Sequence, residues 1–186
     1  MENLERKRVA ILATDGFEKS ELFEPKRALE EAGATVDIIS ENSGQIKSWD
    51  AGNWGAPISV DRTIDSVNHS DYNALMLPGG VINPDKLRTN KDAIKFIRSF
   101  FENKKPVGAI CHAPQLLAEA DVLEGRKITS FKSIKTDMVN AGANWVDERV
   151  VVDEGLVTSR NPDDLPAFNS KLVEEVYEGK HELQMA

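Results

Sequence analysis

Short runs of consecutive apolar residues recur along the chain, separated by longer stretches whose apolar positions follow helical spacing. Because a strand that is buried on both faces is apolar throughout, such runs predict buried strands. They lie at residues 9–13, 35–39, 74–77 and 106–110, with a further short strand at residues 128–130. Residues 150–158 predict a hairpin, since Glu154 and Gly155 supply a turn between two apolar segments.

The stretches between the strands have the amphipathic pattern of helices that pack one face on a sheet. They cover residues 19–32, 91–103, 114–120, 134–141 and 164–177. Residues 45–61 differ, because their glycines, proline and two tryptophans are typical of a hairpin or an elaborated loop. Strands that alternate with helices predict βαβ units with right-handed crossovers, and therefore an α/β fold with a mostly parallel central sheet.

The length of the chain predicts a single domain, residues 1–186, with one substantial core. A formal net charge of −8 opposes binding to nucleic acid phosphates or to anionic membranes, so we expect neither as a partner. The single cysteine excludes a disulfide within the chain and fits a reducing compartment. Together with an N-terminus that lacks the pattern of a secretory signal, it predicts a cytoplasmic location.

Candidate chemistry concentrates in loops that follow the predicted strands. In an open parallel sheet the functional crevice lies at the carboxyl ends of the strands. Residues 15–18, 78–80, 111–112 and 159–162 all lie at such ends. We expect the first three of these loops to meet.

Cys111 is the strongest candidate for a functional residue. It ends a predicted strand and precedes a predicted helix, and a side chain at such a tight turn is pushed out over the sheet, as in a nucleophile elbow. The amides of the following helix favour a thiolate over a thiol. A lone buried cysteine is often structural, but the position at a strand end, followed at once by His112, favours a nucleophile.

His112 and Glu18 each allow two interpretations. His112 either folds back to act as a base or proton shuttle for Cys111, or bonds only to the backbone at a helix start. Glu18 is either a carboxylate favoured by the start of a helix, or a protonated acid that contacts the sulfur and later moves protons on the substrate. The sequence alone does not decide between these alternatives.

The double glycine Gly79-Gly80 ends a strand, and its amides are candidates for an oxyanion hole together with the amide of His112. No metal or cofactor is expected. His69 and His181 lie in polar surroundings typical of surface residues, and no metal-ligand spacing appears. The chain also has no Walker-type loop and no GxGxxG motif for a nucleotide cofactor.

Several segments, in order and over nearly the whole chain, resemble the PfpI family of intracellular cysteine proteases and amidases, within the class I glutamine amidotransferase-like superfamily. They are Asp15-Gly16-Phe17-Glu18, Leu77-Pro78-Gly79-Gly80, residues 109–115 around Cys111, residues 137–147, and residues 159–166 from Ser159 to Pro166. The resemblance implies a flavodoxin-like three-layer sandwich with Cys111 as nucleophile, His112 beside it and Glu18 as the carboxyl group at the sulfur. It also implies that Asp85 completes a triad from a neighbouring subunit, hence a homodimer or a larger homo-oligomer.

The resemblance implies several activities. Members of the family are described as peptidases, as glutathione-independent glyoxalases, as deglycases and as stress proteins. A thiolate adds readily to an aldehyde, and the sequence gives no sign of a groove for an extended peptide, so we favour a cysteine enzyme that acts on small reactive carbonyls or their protein adducts. A peptidase or amidase with the same nucleophile is the second hypothesis. The third is a non-enzymatic redox sensor or holdase that works through oxidation of Cys111.

Overall fold

The computed structural model describes residues 3–184 and 186, and its main feature is a seven-stranded sheet covered by helices on both faces. The strands of the structure are β1 (Arg8–Leu12), β2 (Phe17–Glu18), β3 (Thr35–Ser40), β4 (Gln45–Asp50), β5 (Asn53–Ser59), β6 (Arg62–Thr63), β7 (Ala74–Leu77), β8 (Val107–Ile110), β9 (Lys127–Ile128), β10 (Asn144–Trp145), β11 (Val150–Asp153) and β12 (Leu156–Ser159). The helices are α1 (Lys19–Glu31), α2 (Ile82–Leu87), α3 (Lys91–Glu102), α4 (Pro114–Glu119), α5 (Lys135–Asn140) and α6 (Leu165–Glu178).

The strand order of the main sheet is β11-β12-β8-β7-β1-β3-β6, and every neighbouring pair is parallel except β11 with β12. Side chains alternate between the two faces, as β strands require. Val9 and Ile11 face a core shared with α1 and α6, whereas Ala10 and Leu12 face a core shared with α3 and α4. The predicted α/β class, a flavodoxin-like sandwich with a mostly parallel sheet, is confirmed.

Residues 45–61 form a hairpin, β4 and β5, which stands apart from the main sheet. It builds a three-stranded sheet with β2, the short segment that leads into α1. Trp49 and Trp54 face each other across the hairpin in an edge-to-face pair with ring centroids 5.4 Å apart. The hairpin thereby fixes the loop after β1, because Gly16 donates its amide to the carbonyl of Lys47 at 2.8 Å.

The short helix α2 was not predicted, because six residues are too few to show helical periodicity. Its buried residue Asn83 ties two strand ends together. The Asn83 amide oxygen accepts from the backbone N–H of Thr14, while its NH₂ donates to the carbonyls of Pro78 and Gly79. The loops after β1 and β7 are therefore held in one arrangement. Among the described residues, no helix has both the length and the apolar character needed to cross a membrane.

Candidate active site

The loops after β1, β7 and β8 meet at one edge of the sheet, as expected from their positions at strand ends. Because the three strands are neighbours in the order β8-β7-β1, their carboxyl ends lie side by side. The backbone N–H of Glu18 donates to the carbonyl of Gly79 at 3.3 Å, and that of Cys111 donates to the carbonyl of Ser159 at 3.0 Å. The fourth loop therefore joins the same edge through β12.

Cys111 has a left-handed backbone conformation, with φ of +65°. This region is strained for a residue with a Cβ atom, so the surrounding structure must impose it. Hydrogen bonds hold the residue from both sides, since its N–H binds Ser159 and its carbonyl accepts from Phe131 at 2.8 Å. The turn between β8 and α4 is thus a constrained elbow, and only 7% of Cys111 is exposed.

The carboxyl group next to the sulfur belongs to Glu21 and not to Glu18. Glu18 is the N-cap of α1, where its Oε2 accepts from the backbone N–H of Glu21 at 2.8 Å and from the Ser20 hydroxyl at 2.6 Å. Glu21 lies one helical turn further on and is fully buried. Its Oε2 accepts from the backbone N–H of Gly79 at 2.9 Å, and its carboxyl group interacts with the Cys111 thiol.

A sequence signal for Glu21 exists. The residue lies four and seven positions before Pro25 and Ala28, and so on the inner face of an amphipathic helix, where an isolated carboxylate is costly. A charged residue at such a position indicates a buried partner. The family motif instead drew attention to Glu18, which turns out to stabilise the start of the helix.

Gly79 separates Glu21 from Cys111 and leaves no room for a side chain. A Cβ atom at this position would lie 2.5 Å from Glu21 Oε2 and 2.8 Å from the Cys111 Cβ. The sequence predicted the Gly79 amide to be an oxyanion-hole donor. In the structure this amide donates to Glu21 Oε2 instead. The amides of Gly80 and His112 are the ones that hydrogen-bond at the sulfur.

The proton equilibria of Glu21 and Cys111 are linked. Burial, with a smaller effect of the nearby Glu18 charge, raises the pKa of Glu21 to about 8. Burial also raises the pKa of the Cys111 thiol, and the charge of Glu21 raises it further, whereas the amides of Gly80 and His112 lower it. The sequence pointed only to the amides, so the predicted lowering of the thiol pKa omitted the stronger opposing causes.

These shifts leave both Glu21 and Cys111 protonated at neutral pH, and once the pair has lost one proton it holds the other in common, since two negative charges in one dry site repel strongly. The second carboxyl oxygen, Glu21 Oε1, is buried and has no hydrogen-bond partner among the described residues. If this oxygen carries the proton of the carboxyl group, it can donate a hydrogen bond to the sulfur. The geometry therefore fits a thiolate beside a glutamic acid once the pair has lost its first proton.

His112 does fold back to the sulfur, which resolves one of the alternatives left open by the sequence. Its Nδ1 lies 3.2 Å from Cys111 Sγ, and its ring stacks on Phe131 with centroids 4.8 Å apart. Its Nε2 lies 3.2 Å from the Ser133 hydroxyl, a contact that no sequence pattern predicted. Burial lowers the pKa of His112, so the imidazole is neutral at neutral pH.

Asp85 lies in the first turn of α2, and its side chain is exposed in the single chain. Within the described residues of this chain it makes no hydrogen bond or ion pair with His112.

The loop after β12 is held by Arg160, which pairs with Asp164 at 2.9 Å and with Asp147 at 2.8 Å. That loop therefore supports the elbow, because the carbonyl of Ser159 receives the Cys111 amide.

A strained cysteine at the carboxyl edge of a parallel sheet, with a buried carboxyl group and an imidazole at its sulfur, defines the class of α/β proteins that carry a cysteine nucleophile elbow. The model of the DJ-1/PfpI family matches residues 7–175, and the chain belongs to this family. The resemblance found in the motifs is thereby confirmed.

Relatives and solved structures agree with this membership. YraA of Bacillus subtilis, named as a candidate cysteine protease, is 47% identical over 163 residues, which are 88% of this chain and 94% of the relative. Protein/nucleic acid deglycase 2 of Escherichia coli is 47% identical over 164 residues, with the same coverage of both chains. A two-domain protein of Anabaena variabilis, with DJ-1/ThiJ/PfpI-like and ferritin-like domains, superposes with a TM-score of 0.87 at 36% identity. That match covers 91% of this chain and 48% of the two-domain protein.

Proposed function

We propose that the protein is a cysteine enzyme that converts small reactive carbonyl compounds, or their adducts on proteins, in the manner of a glutathione-independent glyoxalase or deglycase. The observation that carries the proposal is the buried carboxyl group of Glu21 beside the strained Cys111. A nucleophile and a proton-transfer group that can shift protons between adjacent carbon atoms are what this chemistry needs. The name of the Escherichia coli relative supports the same class of activity.

The first step starts from the pair of Glu21 and Cys111 after it has lost one proton to solvent, and it is addition of the Cys111 thiolate to the aldehyde carbon of a 2-oxoaldehyde. The Sγ–C1 bond forms while the π electrons of the carbonyl group move to its oxygen. The amides of Gly80 and His112 lie at the sulfur and would stabilise this developing oxyanion. Transfer of the shared proton from Glu21 to that oxygen then gives a hemithioacetal and leaves Glu21 as a carboxylate.

The second step is a proton shift from C1 to C2. The Glu21 carboxylate removes the C1 proton, and the electron pair forms an enediolate. Glu21 returns the proton to C2, and the proton of the C1 hydroxyl passes to the C2 oxygen, which gives a 2-hydroxy thioester. Water then attacks the thioester, the Sγ–C1 bond breaks, and the thiol leaves. The balance is one 2-oxoaldehyde and one water consumed and one 2-hydroxy acid formed, with no external oxidant or reductant. In this proposal the neutral His112, whose Nδ1 lies 3.2 Å from the sulfur, activates the water.

The proposal includes a homo-oligomer in which two copies of the chain build each active site. We infer that a second copy of the chain supplies Asp85 to the imidazole of His112, because Asp85 is exposed and, among the described residues, forms no hydrogen bond with the His112 of its own chain. Val81, at the start of the same short helix, is 63% exposed, which fits a surface that a second copy covers.

The direct test is methylglyoxal turnover, with loss of the dicarbonyl and appearance of lactate measured together. We expect Cys111→Ser to abolish turnover and Glu21→Gln to reduce kcat by about a hundredfold or more, because Gln forms hydrogen bonds but transfers no proton. Glu24→Gln, the same substitution elsewhere on α1, is the matched control and should retain activity. Glu21→Gln with unchanged kcat would contradict the assignment.

A peptidase or amidase is the second candidate, favoured by the name of the Bacillus subtilis relative and by an imidazole at the sulfur that could protonate a leaving amine. A chromogenic peptide assayed beside methylglyoxal separates the two. Cleavage of the peptide with no conversion of methylglyoxal, again dependent on Cys111, would replace the glyoxalase proposal. Equal behaviour of wild type and Cys111→Ser on both substrates would instead favour the redox sensor or holdase.

A further inference from the structure

Three potential metal-ligating side chains converge where α6 ends, outside the cysteine site. Glu175, Glu178 and His181 each bring one oxygen or nitrogen atom into a group in which all the atoms lie within 4.8 Å of one another. Glu175 and Glu178 share a helix face because they are three residues apart. The chain then turns at Gly179, with φ of +89°, and brings His181 back towards them. The sequence predicted His181 to be a surface residue, but its side chain is only 16% exposed.

The polar atoms at the centre of this cluster lack ordinary partners. Glu175 is 5% exposed, and neither its Oε2 nor the Nε2 of His181, both buried, forms a hydrogen bond within the part of the chain that the structure describes. The two atoms are nevertheless 2.9 Å apart. Buried polar atoms almost always have a hydrogen-bond partner. Because these two atoms lie close together without forming a hydrogen bond, their arrangement is that of two ligands of one bound ion.

The surrounding chain fixes the imidazole of His181 in place. The backbone N–H of His181 donates to the carbonyl of Lys104 at 3.0 Å, and Lys104 also pairs with Glu182 at 2.8 Å. The ring lies against the turn between β11 and β12, where a Cβ atom at Gly155 would come within 2.7 Å of His181 Cδ2. Two of the three ligands are therefore held before any ion binds, and Glu178 is exposed and can close on it.

We propose that Glu175, Glu178 and His181 form a binding site for a divalent transition cation, with Zn²⁺ as the ion whose preferences it matches. Zn²⁺ accepts one imidazole nitrogen and two carboxylate oxygens and leaves a fourth position for water. Mg²⁺ and Ca²⁺ prefer oxygen ligands only, so the imidazole selects against them. The bound ion neutralises the buried Glu175 and fastens residues 179–184 to the end of α6.

Isothermal titration of the full chain with Zn²⁺ tests the site, in a Cys111→Ser background so that the thiol contributes no ligand. We expect one Zn²⁺ per chain, at least tenfold weaker binding after Glu178→Gln or His181→Gln, and no comparable binding of Mg²⁺. Glu174→Gln is the matched control, because Glu174 lies on the same helix but pairs with Lys171 at 2.6 Å and should leave the affinity unchanged.

Thermal unfolding gives a second readout. Zn²⁺ should raise Tm in the Cys111→Ser protein and in its Glu174→Gln variant, and the rise should be lost in Glu178→Gln, whose exposed position leaves folding intact. Binding that is equal in all variants, or no binding at submillimolar Zn²⁺, would overturn the proposal. Glu175 and His181 would then form only a distorted ion pair.

Discussion

At the scale of single residues, Glu21 and Cys111 behave as one titrating unit. Because the first proton lost leaves the second one shared between them, the thiolate should appear in two steps as the pair loses first one proton and then the other. We therefore expect the rate of Cys111 alkylation by iodoacetamide to rise in two steps with pH in the wild type. Glu21→Gln leaves only the thiol to titrate and should give a single step. Identical single-step curves for both proteins would show that the two groups are uncoupled.

The buried Glu21 also makes stability depend on pH. Its pKa is about 8 in the folded chain against an ordinary value of 4.5, so the folded state binds more protons than the unfolded state between these values. Stability therefore falls as pH rises through this window, by about 3 kcal/mol between pH 5 and pH 8 for this group alone. Urea unfolding should show that Glu21→Gln loses this decrease. Glu24→Gln should keep it, and an unchanged decrease in Glu21→Gln would contradict the shifted pKa.

Residue identities at the site were only partly predictable from the sequence. Cys111 and His112 were predictable, because the apolar run before them shows that they lie at the end of a strand. The carboxyl group does not, because Glu18 and Glu21 lie one helical turn apart and the direction of each side chain depends on how α1 packs against the sheet. The contact of Ser133 with His112 joins separate loops and leaves no trace in local spacing.

At the scale of elements, the site depends on how closely the ends of β7 and β8 approach each other. Gly79→Ala would place a Cβ atom 2.7 Å from the Ile110 carbonyl and 2.5 Å from Glu21 Oε2. We expect a loss of about 1–3 kcal/mol in the free energy of unfolding, as for other overpacked sites, together with slower alkylation of Cys111 as the elbow shifts. Urea unfolding and iodoacetamide kinetics measure the two effects.

Gly44→Ala is the control for Gly79→Ala. Gly44 has φ of +105°, and a Cβ atom added there would have no described atom within 4 Å, so alanine causes backbone strain without a clash. It should cost some stability and leave the alkylation rate unchanged. Normal alkylation in Gly79→Ala would mean that the strand ends can separate without disturbing the nucleophile.

The elements themselves were largely predictable, because long amphipathic helices and continuous apolar strands carry strong periodic signals. The exceptions are short. The strand expected at residues 128–130 is the two-residue β9, which pairs with β10. The short helix α2 is fixed by the tertiary hydrogen bonds of Asn83. Elements of this length have too few residues for a pattern and are determined by what packs around them.

At the scale of the whole molecule, the question is whether a second chain completes the site through Asp85. Mixing Cys111→Ser subunits with Asp85→Asn subunits provides the answer, since each variant alone should have little turnover. In a mixed dimer, one site combines the Cys111 of one chain with the Asp85 of the other. If Asp85 acts across the interface, subunit exchange should restore up to about a quarter of wild-type methylglyoxal turnover, because half of the dimers are mixed and each has one intact site.

The control mixture combines Cys111→Ser with Glu21→Gln. Cys111 and Glu21 lie on the same chain and contact each other there, so no mixed dimer has an intact site and no turnover should return. Recovery in the first mixture and none in the second would assign Asp85 to the partner's site. No recovery in either, with exchange verified by native mass spectrometry, would mean that His112 is oriented within its own chain, where Ser133 is the group at its Nε2.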